Sequence, residues 1–326
     1  MTATPLALLL SAITLGAVTG ITAPTVGSAF EDLIDLTIFV LLVMLFLPLT
    51  SEHLRHAVRN LRFTSAAWVT NFLIAAPLGA FLAWAFLNGH PAAMIGLIIY
   101  FAAPCTDWYL AFTKLAGGAT AEGAALIPVN LATQALLFPV IVWFAADEAT
   151  GMTLGAFAET LAIWFALPLA VAGVLRVAIT FAKRTAAFQL QSDRLALAVL
   201  ALLVFEIFAA HTPAIVETAS VVPLTLAAVA VFFLSMLAIS EAFGRAAHLP
   251  QAERTALTMT ASARNAPLML ALTMAALPDQ PVIYAVIVTA MLAEFPHLTL
   301  LAHGLRRRRR DAVCTAPRAE VGSGSY

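Results

Sequence analysis

The sequence predicts an all-α protein that crosses a membrane many times, and three observations support that prediction. Hydrophobic residues make up 62% of the 326 residues and charged residues only 11%, whereas a typical soluble domain is roughly half apolar and about a quarter charged. The apolar residues form ten runs, each close to the ~20 residues that a helix needs to span a bilayer. Of the prolines in these runs, Pro104 and Pro267 stand next to polar segments, Cys105-Thr106-Asp107 and Arg264-Asn265, and proline inside a helix breaks or kinks it.

The ten predicted helices are bounded by charged residues, glycine and proline, which interrupt the apolar runs. In chain order they are 5–22, 33–50, 64–87, 91–114, 120–145, 152–180, 190–211, 219–241, 253–277 and 281–304. The first is not expected to be a cleaved signal peptide, since it lacks the basic segment that precedes the apolar region of such a peptide. The fourth and the ninth contain Pro104 and Pro267 with their polar segments, so we expect both to be broken.

The basic residues alternate along the chain as this topology requires. With the N-terminus in the cytoplasm, the cytoplasmic segments are 51–63, 114–119, 181–189, 242–252 and the C-terminal tail. Apart from Arg264, every lysine and arginine lies in or near one of them: Arg55, Arg59, Arg62, Lys114, Arg176, Lys183, Arg184, Arg194, Arg245, Arg254, Arg306 to Arg310 and Arg318. The opposite loops carry Glu31, Asp32, Asp147, Glu148, Glu217 and Asp279. Because basic residues favour the cytoplasmic side, we expect both termini in the cytoplasm and the protein in the plasma (inner) membrane.

Five predicted helices precede residue 150 and five follow it. An odd number of spans starts the second half on the opposite side, so we expect two inverted five-helix repeats, 1–150 and 151–305, followed by a basic cytoplasmic tail, 306–326. The broken helices occupy corresponding places in the two halves. Interrupted helices in corresponding places are typical of the binding site of a secondary transporter, so a carrier of a small solute is the predicted class.

Other classes are disfavoured. The sequence has no paired catalytic motif and no His/Cys cluster with metal-ligand spacing, so we expect neither an enzyme nor a cofactor. The run from Arg306 to Arg310 is expected to contact anionic lipid headgroups beside the last helix, rather than nucleic acid. Cys105 falls in a membrane span and Cys314 in the tail, so no disulfide is expected.

The first interruption, Ala103-Pro104-Cys105-Thr106-Asp107, places a thiol, a hydroxyl and a carboxylate inside a membrane span. A buried cysteine is commonly a small apolar residue. A thiolate, however, is a soft ligand for thiophilic species, and the position of Cys105 directly after the helix break favours that role. Asp107 belongs either to an ion pathway or to a structural ion pair.

The second interruption, Ser262-Ala263-Arg264-Asn265-Ala266-Pro267, carries a cation inside a span. Arg264 either neutralises Asp107 or binds oxygen atoms of a solute, and Asn265 beside it is a candidate ligand. Glu294 lies half-way along the tenth helix. A carboxylate at that depth costs about 3 kcal/mol or more and usually marks an ion or proton pathway.

Other polar residues are weaker candidates. Asn130 and Gln134 are four residues apart, on one face of the fifth helix, and either line the site or form hydrogen bonds between helices. His297, one turn after Glu294, is a candidate proton relay. Glu206 is predicted nearer the outer boundary, where water reaches it.

With these residues in place, the chain resembles the bile acid–sodium symporter superfamily and, within it, the arsenite efflux permeases. The resemblance covers nearly the whole membrane region, and its motifs are Ala-Pro-Cys-Thr-Asp-Trp from Ala103 to Trp108, Lys114, Gly117-Gly118, Asn130 with Gln134, Arg264-Asn265 and Glu294-Phe295-Pro296. The arsenite permeases have a cysteine in the fourth helix and a glutamate in the tenth, which Cys105 and Glu294 match. Bile acid carriers lack that cysteine, so the resemblance favours the arsenite branch.

The resemblance implies export of trivalent arsenic, as arsenite and with antimonite as a related substrate, in exchange for protons. Cys105 would bind the metalloid, and Glu294 would carry the coupling proton, with Asp107 as the next candidate. The other implied contacts to substrate are Thr106, Asn130, Asn265 and Arg264. The resemblance also implies a core of helices three to five and eight to ten, and a panel of helices one, two, six and seven.

The alternative is a sodium-coupled importer of an organic anion, with Arg264 facing the carboxylate of the anion. One departure from the superfamily bears on it. Members often carry a carboxylate within two residues after the Arg-Asn pair, where this chain has Ala266 and Pro267. The departure disfavours a sodium site built on that carboxylate and makes proton coupling more attractive.

Overall fold

The computed structural model describes residues 3–47, 59–106, 108–145, 162–181, 185–217 and 219–315. These residues are helical apart from short connections, and no sheet is present among them. The helices are α1 (Ala3–Thr22), α2 (Pro24–Ala29), α3 (Glu31–Phe46), α4 (Leu61–Leu87), α5 (Pro91–Ala102), α6 (Tyr109–Ala116), α7 (Thr120–Ala145), α8 (Leu167–Phe181), α9 (Thr185–Glu217), α10 (Val221–Ala246), α11 (Gln251–Ser262), α12 (Ala266–Ala276) and α13 (Pro281–Thr315).

The fold is that of an all-α polytopic membrane protein. Five segments in the described ranges are long and apolar enough to cross a bilayer: Leu61–Leu87, Thr120–Val142, Leu195–Pro213, Val221–Ala246 and Pro281–Arg308. Shorter apolar helices lie on other predicted spans. Large apolar side chains such as Leu136 and Leu300 point outward, as suits contact with lipid. The ten-span topology, the inverted repeat and the cytoplasmic termini stay predictions.

Local sequence explains where several helices begin and end. Pro91, Pro267 and Pro281 stand in the first turns of α5, α12 and α13, where proline removes only an N–H that has no intrahelical acceptor. Gly117 ends α6 with a φ of 75°, a left-handed conformation that glycine adopts readily. α13 continues to Thr315, beyond the predicted end at residue 304, so the arginine run lies on a helix.

Helices α1, α3, α8 and α9, which lie on predicted spans one, two, six and seven, pack with one another: α9 contacts α1, α3 and α8, and α3 contacts α8. The contact between α1 and α9 is close because Gly16 has no side chain. A Cβ atom there would lie 2.5 Å from the carbonyl oxygen of Phe205. Small residues allow membrane helices to approach in this way.

The remaining long helices surround the two broken ones. α5 packs against α4, α7 and α13, and α11 packs against α6, α7 and α10. At the end of α5, the Phe101 ring stacks on Phe232 of α10 with 4.2 Å between centroids. Gly79 of α4 leaves room for the Phe101 ring. The breaks are thereby held at the centre of a packed helical core.

Candidate functional site

Both interrupted helices continue into short extended segments. After α5, Ala103 is extended (φ −113°, ψ 105°), as expected for a residue that precedes proline. After α11, Ala263 is extended as well (φ −87°, ψ 139°). The chain returns to helix at Tyr109 and at Ala266. Both interruptions predicted from the prolines are therefore present, and the first is longer than the second.

The two extended segments lie side by side, with an antiparallel bridge between Pro104 and Arg264. Two backbone hydrogen bonds join them: Cys105 N–H to Ala263 O (3.0 Å) and Asn265 N–H to Ala103 O (2.8 Å). Inside a membrane, backbone groups freed by a helix break need partners within the protein. Here each break supplies partners for the other. We call residues 103–106 and 263–265 the crossing.

The side chain of Arg264 is fully buried and donates to three backbone carbonyls. Nη1 donates to Phe101 O at 3.0 Å, and Nη2 donates to Thr260 O at 3.0 Å and Ala261 O at 2.6 Å. These carbonyls end α5 and α11, where they lack intrahelical partners and carry partial negative charge. Asp107, one predicted partner of Arg264, lies outside the described residues, and direct contact between Arg264 and substrate stays a prediction.

An amide network ties the crossing to α7. The Asn265 Nδ2 atom donates to Thr106 Oγ1 at 3.0 Å and to Gln134 Oε1 at 3.2 Å. Gln134 Nε2 donates to Pro104 O at 2.6 Å. Gln134 therefore connects the first break to the second, in agreement with the alternative that it forms hydrogen bonds between helices.

Several buried polar atoms near the crossing have no hydrogen-bond partner within the described part of the chain. They are both amide atoms of Asn130, Oδ1 of Asn265, Oγ of Ser262 and Nε of Arg264. Asn130 is one helical turn before Gln134 and is fully buried. Because buried polar groups are rarely left without a partner, these atoms are the ones available to a polar ligand. Three of these four residues, Asn130, Arg264 and Asn265, were candidates from the sequence, and their contact with substrate stays a prediction.

Cys105 is fully buried in the crossing, and its backbone is fixed by the bond to Ala263. It is close enough to Arg264 and Tyr100 for electrostatic interaction. The same residue also packs in the main apolar cluster, so the structural role considered from the sequence has support. The soft-ligand role stays a prediction.

Glu294 lies on α13 and is connected to the first broken helix. Its Oε2 accepts a hydrogen bond of 2.9 Å from the Tyr100 hydroxyl, and the side chain is 2% exposed. Tyr100 lies on α5, one turn before Pro104. The sequence did not single out Tyr100, because a tyrosine in an apolar helix resembles ordinary aromatic packing.

His297 has different neighbours. Its ring stacks on Phe233 with 4.0 Å between centroids and 10° between planes, and its Nε2 has no hydrogen-bond partner in the part of the chain that is described. No contact with Glu294 appears among these interactions, so the relay stays a prediction.

The expectation that water reaches Glu206 is wrong for this structure. The side chain is 1% exposed and accepts a 3.1 Å hydrogen bond from the Thr37 hydroxyl on α3. Helix packing, rather than distance from the end of a span, decides its exposure.

A sequence model described as the Sodium Bile acid symporter family matches residues 35–218, which is more than half of the chain. The protein belongs to this family. The predicted superfamily resemblance is thereby confirmed, whereas the closeness to the arsenite permeases stays a prediction. No curated protein sequence matches the chain.

Membership in the symporter family indicates transport of a small solute together with a coupling ion. The matched range includes the first break and α7, with Cys105 and Asn130, while Arg264, Asn265 and Glu294 follow it in the chain. Of these site residues, the structure of this family member brings Cys105, Arg264 and Asn265 together at the crossing. Glu294 is linked to α5 by its hydrogen bond with Tyr100, which lies one helical turn before Pro104.

Proposed function

We propose that the protein exports trivalent arsenic, as arsenite and also antimonite, across the plasma membrane in exchange for protons. The observation that carries the proposal is a buried cysteine, Cys105, fixed in the crossing of two broken helices beside amide and hydroxyl groups. Thiol sulfur is the protein ligand that selects soft species such as trivalent arsenic. A bile acid or another organic anion has no soft atom for this thiol to bind.

The binding step replaces one hydroxyl of arsenous acid by the thiol sulfur. An As–S bond to Cys105 forms, one As–O bond breaks, and the released hydroxyl leaves as water with the thiol proton. No oxidant or reductant is needed, because arsenic stays trivalent and sulfur stays at the thiol level. A single As–S bond is reversible, which suits a carrier that must also release its cargo.

The remaining hydroxyls of the metalloid would be bound by the polar groups around the crossing. Both amide atoms of Asn130 and Oδ1 of Asn265 have no other partner in the described ranges. Thr106 adds a hydroxyl, already oriented by Asn265. Arg264 places a positive charge beside these groups, close to Cys105.

Glu294 is the proposed proton carrier. The Tyr100 hydroxyl connects it to α5, so a change in its protonation acts on the helix that leads to Cys105. If proton and metalloid bind competitively, and only the loaded carrier changes its facing side, exchange of one for the other follows. Asp107 is the second carboxylate proposed for this role.

Uptake of arsenite into everted membrane vesicles tests the proposal. We expect uptake that follows an imposed inside-acid pH gradient and that is unchanged when choline replaces sodium. Vesicles with the Cys105→Ser variant serve as the matched control for the thiol. Uptake that requires a sodium gradient, or no arsenite uptake by well-expressed protein, would contradict the proposal.

The second candidate is sodium-coupled import of an organic anion, which is compatible with the description of the matched family. In that reading, Arg264 faces the carboxylate of the anion. Three of the five N–H donors of a guanidinium are directed to backbone carbonyls at Arg264. A bidentate contact with a carboxylate would therefore require rearrangement, which makes arsenite export the preferred proposal.

The proposed orientation, with both termini in the cytoplasm, rests on the distribution of charge and has its own test. A cysteine introduced as Asp147→Cys should react with an impermeant thiol reagent from outside the cell. Labelling from the cytoplasmic side alone would contradict both the orientation and the inverted repeat. Contact of Arg306 to Arg310 with anionic lipid is part of the same proposal.

A further inference from the structure

The C-terminal ends of the half-helices α5 and α11 meet at one cation. Their last turns direct the carbonyls of Phe101, Thr260 and Ala261 at the guanidinium of Arg264, at distances of 2.6 to 3.0 Å. Each helix end carries about half a negative charge from its aligned peptide dipoles. The side chain of Arg264 therefore neutralises two helix ends at once.

This guanidinium is enclosed. Its central carbon lies 5.4 Å from the centroid of the Phe232 ring, and Phe232 in turn stacks on Phe101. Arg264 is 0% exposed. An aromatic face attracts a cation, so the ring adds to the attraction of the carbonyls, and the packing leaves no exposed surface on the side chain.

Carbonyls of this kind have a known use in carriers with discontinuous helices. Unwound backbone and the C-terminal ends of half-helices coordinate the coupling cation, while N-terminal ends bind anionic groups. In this protein, the corresponding carbonyls already accept hydrogen bonds from Arg264. A sodium ion placed among them would meet a fixed positive charge and would find its oxygen ligands engaged.

We propose that Arg264 is a built-in cation, which occupies the place between the two half-helix ends where a coupling sodium ion would otherwise bind. The inference rests on the proposed function and deepens it, because it identifies why this site does not use sodium. It makes Arg264 a specificity-determining residue for the coupling ion.

The test compares how the purified carrier responds to cations, without any transport substrate. Thermal unfolding in detergent is measured in sodium chloride and in choline chloride at equal ionic strength. We expect the same midpoint in both salts for the wild-type protein. Arg264→Ala should unfold at a lower midpoint in choline, with a selective rise in sodium and a rise in dilute methylguanidinium, because both ions can occupy the vacated carbonyls.

Two further variants keep the result interpretable. Arg254→Ala removes a partly exposed arginine of α11 that lies 3.8 Å from Glu241, and it should show no selective response to sodium. Arg264→Lys retains a tethered charge and should also be insensitive to sodium. If Arg264→Ala cannot be purified, absence of a sodium response in both the wild type and Arg264→Lys supports the inference.

An equal, selective response to sodium in wild type and in Arg264→Ala would overturn the inference, and so would a sodium response in the wild type alone. Because no arsenite is present, these outcomes are separate from the fate of the proposed function. If the protein does not transport arsenite, the unfolding measurements can still support the exclusion of sodium by Arg264. If the protein does transport arsenite, the same measurements can still contradict that exclusion.

Discussion

The two helix breaks contribute different chemistry to the same crossing. The first supplies a thiol at Cys105 and a hydroxyl at Thr106, both on small side chains that lie within the pairing segment. The second supplies Arg264, whose long side chain turns away to the ends of both half-helices. The comparison shows that the cation of the second break binds the backbone ends of both half-helices, while the soft ligand proposed for the solute belongs to the first.

The largest expected effect is that of Cys105→Ser. Serine keeps a small polar side chain but removes the soft sulfur ligand, so arsenite transport should fall to background while the amount of folded protein in the membrane stays normal. Vesicle uptake measured against expression level checks this. Cys314→Ser, near the end of α13, should transport like the wild type. Transport by Cys105→Ser at the wild-type rate would remove the first break from the binding chemistry.

The next effect is that of Glu294→Gln, which keeps the shape of the side chain but fixes it in a neutral state. We expect loss of accumulation driven by a pH gradient, with exchange of labelled for unlabelled arsenite retained. Counterflow in preloaded vesicles, at several imposed pH gradients, separates the two. Accumulation that still follows the pH gradient would move the coupling role to another carboxylate, with Asp107 first.

A smaller effect distinguishes two amides on α7 that are one turn apart. Gln134→Ala removes buried hydrogen bonds to both breaks, which costs about 1–3 kcal/mol, so the unfolding midpoint should fall. Asn130→Ala removes no such bond within the described residues, so its midpoint should stay near that of the wild type while arsenite binds roughly tenfold more weakly, equivalent to about 1.4 kcal/mol. Unchanged binding in Asn130→Ala would contradict its contact with substrate.

The smallest effect on transport is expected for Glu206→Gln. This carboxyl lies between α9 and α3, away from both breaks, and its hydrogen bond with Thr37 can be kept by the amide oxygen. Coupling to the pH gradient should therefore be unchanged. Loss of coupling in this variant, with Glu294→Gln unaffected, would transfer the proton pathway from the core to the packed helices α3 and α9.

The sequence was sufficient to predict the helical membrane class and the two interruptions, because at Pro104 and Pro267 a proline coincides with polar residues, whereas Pro296 lies inside the continuous helix α13. It also singled out Asn265 and Glu294 as candidates, since polar groups at membrane depth are costly, and their roles stay predictions. The family resemblance, which rests on shared motifs, independently singled out the same residues. These predictions depend on local chemistry, which a single sequence contains.

The pairing of the breaks was not predictable in the same way. The hydrogen bond from Cys105 to Ala263 joins residues far apart in the chain, and the carbonyls that receive Arg264 have no signature in the sequence. Tyr100, the partner of Glu294, could not be identified from the sequence, because a tyrosine in an apolar helix is usually a packing residue. The prediction that Glu206 is exposed was wrong because it was inferred from the distance to the end of a span. The packing of neighbouring helices determines the exposure of this side chain instead.

The two backbone hydrogen bonds of the crossing have a consequence for how cargo is displaced. Most side-chain substitutions leave these bonds in place, because they join backbone atoms. They connect the two halves of the chain directly. Any conformational change that preserves them moves Cys105 and Asn265 as one unit. Cargo held between the two residues would then move with that unit across the bilayer. The unit would slide against helices α1, α3, α8 and α9.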